Sequence, residues 1–203
     1  MRKDKIELNK KAYNNSAEEY NQNRVTYNKT IDDLEIFVKS LTLPSKVLDA
    51  GCGAGVPVAK YMVEHGIEVT GIDISEGILE IAKKNVPGAD FKVMDLADLK
   101  FENEYFDGIV AFYSIIHVPR EEHKKIFDEF HRILKKDGLI LVTMGSDEWE
   151  GEEVALTSQK MFWSHYSPEV SKEIVVNSGF EIINDAVKDI GDERHYWILA
   201  RKK

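Results

Sequence analysis

Three glycines, Gly51, Gly53 and Gly55, stand at alternate positions directly after the short apolar run Val47-Leu48-Asp49-Ala50. A buried strand that ends in glycines can turn sharply and admit a ligand against bare backbone. A dinucleotide fingerprint would place its third glycine at position 56, which is Val56, so the pyrophosphate-gripping pattern is not met. Asp49 lies at the end of the run beside the glycines, where a carboxylate favours a cationic ligand and disfavours a phosphate. A second acid, Asp73, closes the next apolar run, 20 residues beyond Gly53. In an open α/β sheet a carboxylate at that place takes hydrogen bonds from ribose hydroxyls.

These residues need a sheet to hold them, and the chain supplies the pattern. Ile31, Leu34, Ile36, Phe37, Val38 and Leu41 have helical spacing and predict a core-facing helix from about Lys29 to Ser40, closed by Pro44. Strands are expected over Val47–Ala50, Ile67–Ile72, Phe91–Met94, Phe106–Tyr113 and Leu139–Val142. Between them, helices are expected from Pro57 to His65, from a Ser75 cap to Asn85, and from Pro119 to Lys136. Strand and helix alternating in this way imply a mostly parallel sheet covered on both faces. After a helix bracketed by Ser167-Pro168 and Gly179, Phe180–Val187 and His195–Ala200 form two strands about a Gly191-Asp192 turn. A hairpin closing a parallel sheet requires one antiparallel strand. Residues 14–23 are polar and aromatic, and read as a short, weakly amphipathic helix or an ordered lid. The acids of the stretch after the fifth strand, Asp147, Glu148, Glu150, Glu152 and Glu153, read as a solvated loop.

With 203 residues, 43% hydrophobic and 31% charged, the chain has the composition of one soluble globular domain. No apolar run approaches the roughly 20 residues that span a bilayer, and the opening residues lead into no signal-type apolar stretch. The lone cysteine, Cys52, excludes an intrachain disulfide and a thiolate zinc site, and no His and carboxylate cluster suggests another metal. A cytoplasmic setting fits. The net charge of −9 argues against nucleic acid and for a small-molecule partner. Oligomeric state is not encoded in any of these features.

The run Val47-Leu48-Asp49-Ala50-Gly51-Cys52-Gly53-Ala54-Gly55 resembles the first motif of the class I S-adenosylmethionine-dependent methyltransferases. Asp73 matches that family's second-strand acid, and Val93-Met94-Asp95-Leu96-Ala97-Asp98-Leu99 its adenine-contacting segment. Phe106-Asp107-Gly108-Ile109-Val110 resembles its fourth strand and Leu134–Ile140 its turn into the fifth, so the likeness runs in order over roughly residues 30–203. The resemblance implies a doubly wound, Rossmann-like sheet of seven strands with one antiparallel C-terminal strand. It implies a helical lid over residues 1–44 on a compact domain of residues 45–203. It also implies in-line transfer of a sulfonium methyl group to a small-molecule acceptor, with S-adenosylhomocysteine as product.

The donor set expected from the likeness is Asp49, Gly51, Cys52, Gly53, Asp73, Ile74, Asp95, Leu96, Phe112 and Tyr20. Asp98 is the rival of Asp95, and Cys52 reads as a small packing residue of the loop. The segment Phe112–Pro119 after the fourth strand is where the acceptor meets the methyl group. It lacks the acid or amide, two prolines and aromatic found there in enzymes that methylate DNA or protein amines. His117 is the general-base candidate, with Tyr113 beside it, against a plain hydrogen-bonding role at a helix start. Tyr13, Trp149, Trp163 and Tyr166 are the candidate acceptor contacts, against simple packing roles. Two other readings stay open: a nicotinamide-dependent oxidoreductase on a similar sheet, and a non-catalytic module that binds the same donor.

Overall fold

The computed structural model describes residues 2–25, 31–154, 158–191 and 193–203. Two N-terminal helices, α1 (Arg2–Asn15) and α2 (Ala17–Val25), precede α3 (Ile31–Lys39) and the strand β1 (Lys46–Ala50). Next come α4 (Val58–Glu64), β2 (Glu68–Asp73), α5 (Glu76–Asn85), β3 (Asp90–Val93) and β4 (Phe106–Ala111). Two single 3-10 turns, Ile115–His117 and Arg120–Glu122, lead into α6 (His123–Ile133) and β5 (Leu134–Gly145). A hairpin of β6 (Trp149–Val154) and β7 (Lys160–His165) is followed by α7 (Pro168–Asn177), β8 (Phe180–Ile190) and β9 (Glu193–Lys202).

Seven strands form one sheet in the order β3-β2-β1-β4-β5-β9-β8, and β6 and β7 pair apart from it. The first five are parallel to one another; β9 runs antiparallel to both its neighbours. The expected doubly wound sheet with one antiparallel strand is therefore present. Strand side chains alternate between faces, and here both faces are buried. Leu48, Ile109, Ile140 and Ile198 pack with α6 and α7, and their chain neighbours Val47, Val110, Leu141 and Leu199 pack with α3 and α4. This double burial explains why the strands read as near-continuous apolar runs. The strand order turns back between β1 and β4, so a crevice opens at their carboxyl ends, where such folds bind ligands.

The structure corrects several expectations of local structure. The long helix expected from Pro119 to Lys136 is shorter, and Leu134 to Gly138 belong to β5. Leu134 is fully buried and pairs with Phe106, whereas Gly108 already faces Leu139, so the intervening residues bulge. Asp137 sits in that bulge at φ +63°. The polar stretch at residues 14–23 is not one helix: it spans the junction of α1 and α2, with Ser16 between them. The acidic stretch after β5 is not a plain loop, because Trp149–Val154 pairs residue for residue with Lys160–His165. The predicted start of the third helix at Lys29 and the turn residue Asp192 lie outside the described residues.

Candidate active site

The loop after β1 is shaped by what a side chain would strike. Gly51 has φ +82°, and a Cβ there would overlap the Ser114 side chain that follows β4. Ser114 is itself fixed, donating its hydroxyl to Ala50 O at 2.7 Å. Gly51 N and Cys52 N both donate to Ile72 O, which ties the loop to the end of β2. Asp73 completes that tie: one carboxylate oxygen accepts Gly53 N–H at 3.1 Å and the other Ser75 N–H at 2.9 Å. A carboxylate has about four acceptor sites, so Asp73 has room for a further donor beside these backbone bonds. Ser75 then caps α5, accepting from Ile78 N, as its position in the sequence predicts.

Gly51, Gly53, Asp73, Ile74, Asp95, Leu96 and Phe112 line one cavity, with about 630 Å³ of empty volume including its mouth. Tyr13, Tyr20, Tyr113 and His117 line the same cavity. Asp49 and Cys52 do not reach its wall. Cys52 is buried behind the loop, 3.7 Å from Gly53 O. Asp49 is 2% exposed, and its Oδ2 atom is buried without a hydrogen-bond partner. Burial, with the nearby Asp73 charge, pushes the Asp49 carboxyl up to about 8, and burial also raises Asp73. The cavity therefore has acids on and behind its wall and bare backbone at the glycine loop, an environment for a cation rather than a phosphate.

A methyltransferase-domain family model matches residues 47–138, which hold this glycine loop and both wall acids. Over these residues, just under half of its length, the chain is similar to the S-adenosylmethionine-dependent methyltransferases. It is 28% identical over 176 residues to the phosphoethanolamine N-methyltransferase of Plasmodium falciparum, covering 83% of this chain and 62% of that one. It is 25% identical over 158 residues to the ubiquinone/menaquinone C-methyltransferase UbiE of Campylobacter jejuni, covering 74% of this chain and 66% of that one. The chain thus spans just under two thirds of the length of each. Its fold is that of a Burkholderia thailandensis 1,6-didemethyltoxoflavin N1-methyltransferase, with TM-score 0.75 and 18% identity over 96% of this chain and 87% of that one. That structure holds 1,6-didemethyltoxoflavin and S-adenosylhomocysteine.

The donor of such methyltransferases fits the residues present. The glycine loop leaves a cradle that a Cβ would fill, and Asp49 offers an unpaired buried acceptor behind it. The crevice is roofed by α1. Arg2 reaches Asp95 at 2.6 Å and Glu122 at 2.5 Å. Asn14 Oδ1 accepts from Ser75 Oγ at 2.7 Å and from Gly77 N at 2.9 Å, at the start of α5. Tyr13 and Tyr20, one on each N-terminal helix, meet edge to face at 5.5 Å, and Tyr20 lies over Gly53.

Tyr13 Oη stands 2.9 Å from His117 Nε2. His117 Nδ1 stands 3.0 Å from Phe162 O, a carbonyl that can only accept. Nδ1 must carry the proton, so Nε2 of the neutral ring accepts from the Tyr13 hydroxyl. Trp163 packs on the His117 ring at 5.4 Å, beyond the cavity wall. Trp149 folds over Gly151, and Tyr166 packs against His123 and Arg120; neither lines the cavity. Tyr113, at φ +55°, donates its N–H to Thr143 Oγ1 and packs its ring on His195 at 4.7 Å. Sequence reasoning missed Ile6, Asn9, Met94, Ser114 and Val118, which also line the cavity. Ser114 and Val118 lay inside the segment singled out after β4. Ile6 and Asn9 sit on a helix with no apolar stripe to announce it.

The buried acid gives a pH signature. In the unfolded chain Asp49 ionises near its ordinary 3.8, while in the donor-free fold it resists ionisation up to about 8. Its stabilising effect is complete below pH 4 and is lost as pH rises towards 8, at up to about 1.4 kcal/mol per pH unit. Asp73 acts in the same direction. Thermal melts of the donor-free protein from pH 5 to 8 should therefore fall less steeply for Asp49→Asn than for the parent chain. Parallel curves would show that Asp49 is already ionised in the fold.

Proposed function

We propose that this chain transfers the methyl group of S-adenosylmethionine to a small acceptor whose nucleophile, an amine or a hydroxyl, carries a proton to be removed. The observation that carries the reading is the Tyr13–His117 contact on the wall of the donor cavity. S-adenosylmethionine supplies an electrophilic methyl on sulfur, and its transfer to the acceptor breaks the sulfur–methyl bond to leave S-adenosylhomocysteine. Everything else falls to the chain. Asp73 holds the ribose, with Asp95 and the Leu96 backbone at the adenine; the Gly51–Gly53 loop leaves room for the methionine part; Asp49 counters the positive charge from behind. Tyr13 Oη takes the acceptor's proton as its own passes to His117 Nε2, and the imidazolium so formed is held through Nδ1 by Phe162 O. Such a relay needs no charged base in the resting site and contributes by positioning and proton removal.

The small size of the acceptor is supported by the roof that α1 makes over the cavity and by the chain's net charge of −9. The P. falciparum relative acts on phosphoethanolamine, by its name, which favours nitrogen. We read α1 and α2 as a lid on the domain that follows, and we include a cytoplasmic location, supported by the single buried cysteine. No helix among the described residues is long and apolar enough to cross a membrane.

The test is release of S-adenosylhomocysteine with a panel of small amines and alcohols as acceptors. Donor affinity is read in parallel by calorimetry with S-adenosylhomocysteine. Asp73→Ala should weaken that affinity about 10- to 100-fold, the loss of hydrogen bonds to a charged group. Tight binding with no turnover on any acceptor would leave a binding module; unchanged affinity in the variant would remove Asp73 from the site.

A further inference from the structure

Asn9 is 1% exposed on α1, a mostly polar and charged helix whose other buried residue is Ala12. Its amide is fully engaged with two backbone segments far away in the chain. Oδ1 accepts Phe162 N–H at 2.7 Å, and Nδ2 donates to Phe162 O at 3.0 Å and to His117 O at 3.2 Å. The pairing with Phe162 copies one rung of a β-ladder, with a side chain in place of a strand. It holds the peptide groups of β7 in one orientation. The carbonyl so fixed is the same Phe162 O that faces His117 Nδ1.

We propose that Asn9 is the positioning residue that sets the His117 tautomer. A carbonyl oxygen has two lone pairs. Asn9 occupies one and presents the other to Nδ1, which must then bear hydrogen. Nε2 is left with its lone pair towards Tyr13, one turn along the same helix from Asn9. One amide thus fixes the ring's hydrogen, the strand behind it and the helix that carries the hydroxyl. Aspartate is the sharpest replacement. It keeps the volume and the acceptor for Phe162 N–H, and puts a carboxylate oxygen where two donors stood, against two carbonyls. The inference rests on the proposed role of the Tyr13–His117 pair, but its first readout does not.

The test is nitrogen NMR of the donor-free protein with labelled histidine, in parent, Asn9→Asp and Asn9→Ser, the last a smaller change should the acid disturb folding. In the parent, neutral His117 should be almost wholly in the form with hydrogen on Nδ1. Both variants should show a mixed or reversed population, with kcat reduced at least tenfold and the affinity for S-adenosylhomocysteine within about threefold of the parent. His117 remaining wholly in the Nδ1–H form in both variants, while they stay folded, overturns the inference. A shifted tautomer with unchanged kcat would uphold Asn9's hold on the ring and instead defeat the relay reading above.

Discussion

Tyr13→Phe and His117→Ala are each expected to lower turnover by about 10²- to 10⁴-fold, the usual worth of a positioned acid–base group. Donor affinity should stay near the parent value, because neither side chain contributes to the Gly51–Gly53 cradle or the Asp73 tie. The pair is a chain of two proton transfers, so breaking either link breaks both. Tyr13→Phe/His117→Ala should then cost no more than the worse single variant, a marked departure from additivity. Steady-state kinetics of the four proteins, at saturating donor with the best acceptor found, supply the cycle. Losses that multiply would mean that the two residues act separately. A full-rate His117→Ala enzyme would leave the ring a structural role between α1 and β7.

The second large effect is expected at Gly51, and Gly66 serves as its control. Both have strongly positive φ, +82° and +77°. An alanine at either position meets the left-handed penalty of roughly 1–2 kcal/mol. At Gly66 a Cβ would have nothing within 4 Å, so Gly66→Ala should show that penalty alone, with donor binding intact. At Gly51 the Cβ collides with Ser114, whose own hydroxyl is bound to β1. Either the loop or the turn after β4 must move, and both line the cavity. Gly51→Ala should therefore be less stable than Gly66→Ala and lose at least about tenfold in affinity for S-adenosylhomocysteine. Chemical denaturation and calorimetry on the two variants decide it; parental affinity in Gly51→Ala would place the donor away from this loop.

The donor half of the site was legible because it is local. A strand, its glycines and the acid on the neighbouring strand lie within 27 residues of one another, from Val47 to Asp73. Their geometry follows from the parallel pairing of β1 with β2. The alternate burial of Val47 and Leu48 and the Ser75 cap were visible for the same reason. The acceptor half was hidden because it is not local. Asn9 meets Phe162 across 153 positions, and Tyr13 meets His117 across 104. No periodicity announces α1, since the positions it buries are Asn9 and Ala12 rather than an aliphatic stripe. The β6–β7 hairpin escaped notice because β6 carries Glu150, Glu152 and Glu153, which read as a solvated loop until Met161 and Phe162 of the partner strand are seen to be buried. Trp149 and Tyr166 drew attention as aromatics on that segment, yet Gly151 and Arg120 take up their rings instead.

The way α1 is fastened bears on how a bulky nucleoside gets in and out. Its polar anchors are a guanidinium, two ammonium groups, two amides and a phenol, and water can replace each of these contacts when the helix lifts. The apolar surface bared is that of Ile6, Ala12 and Tyr13, with no long aliphatic stripe, so the hydrophobic effect resists less than it would for a core helix. Each catalytic cycle can unroof the crevice without melting the sheet beneath it, and the lifted helix has a defined set of polar seats to which it returns.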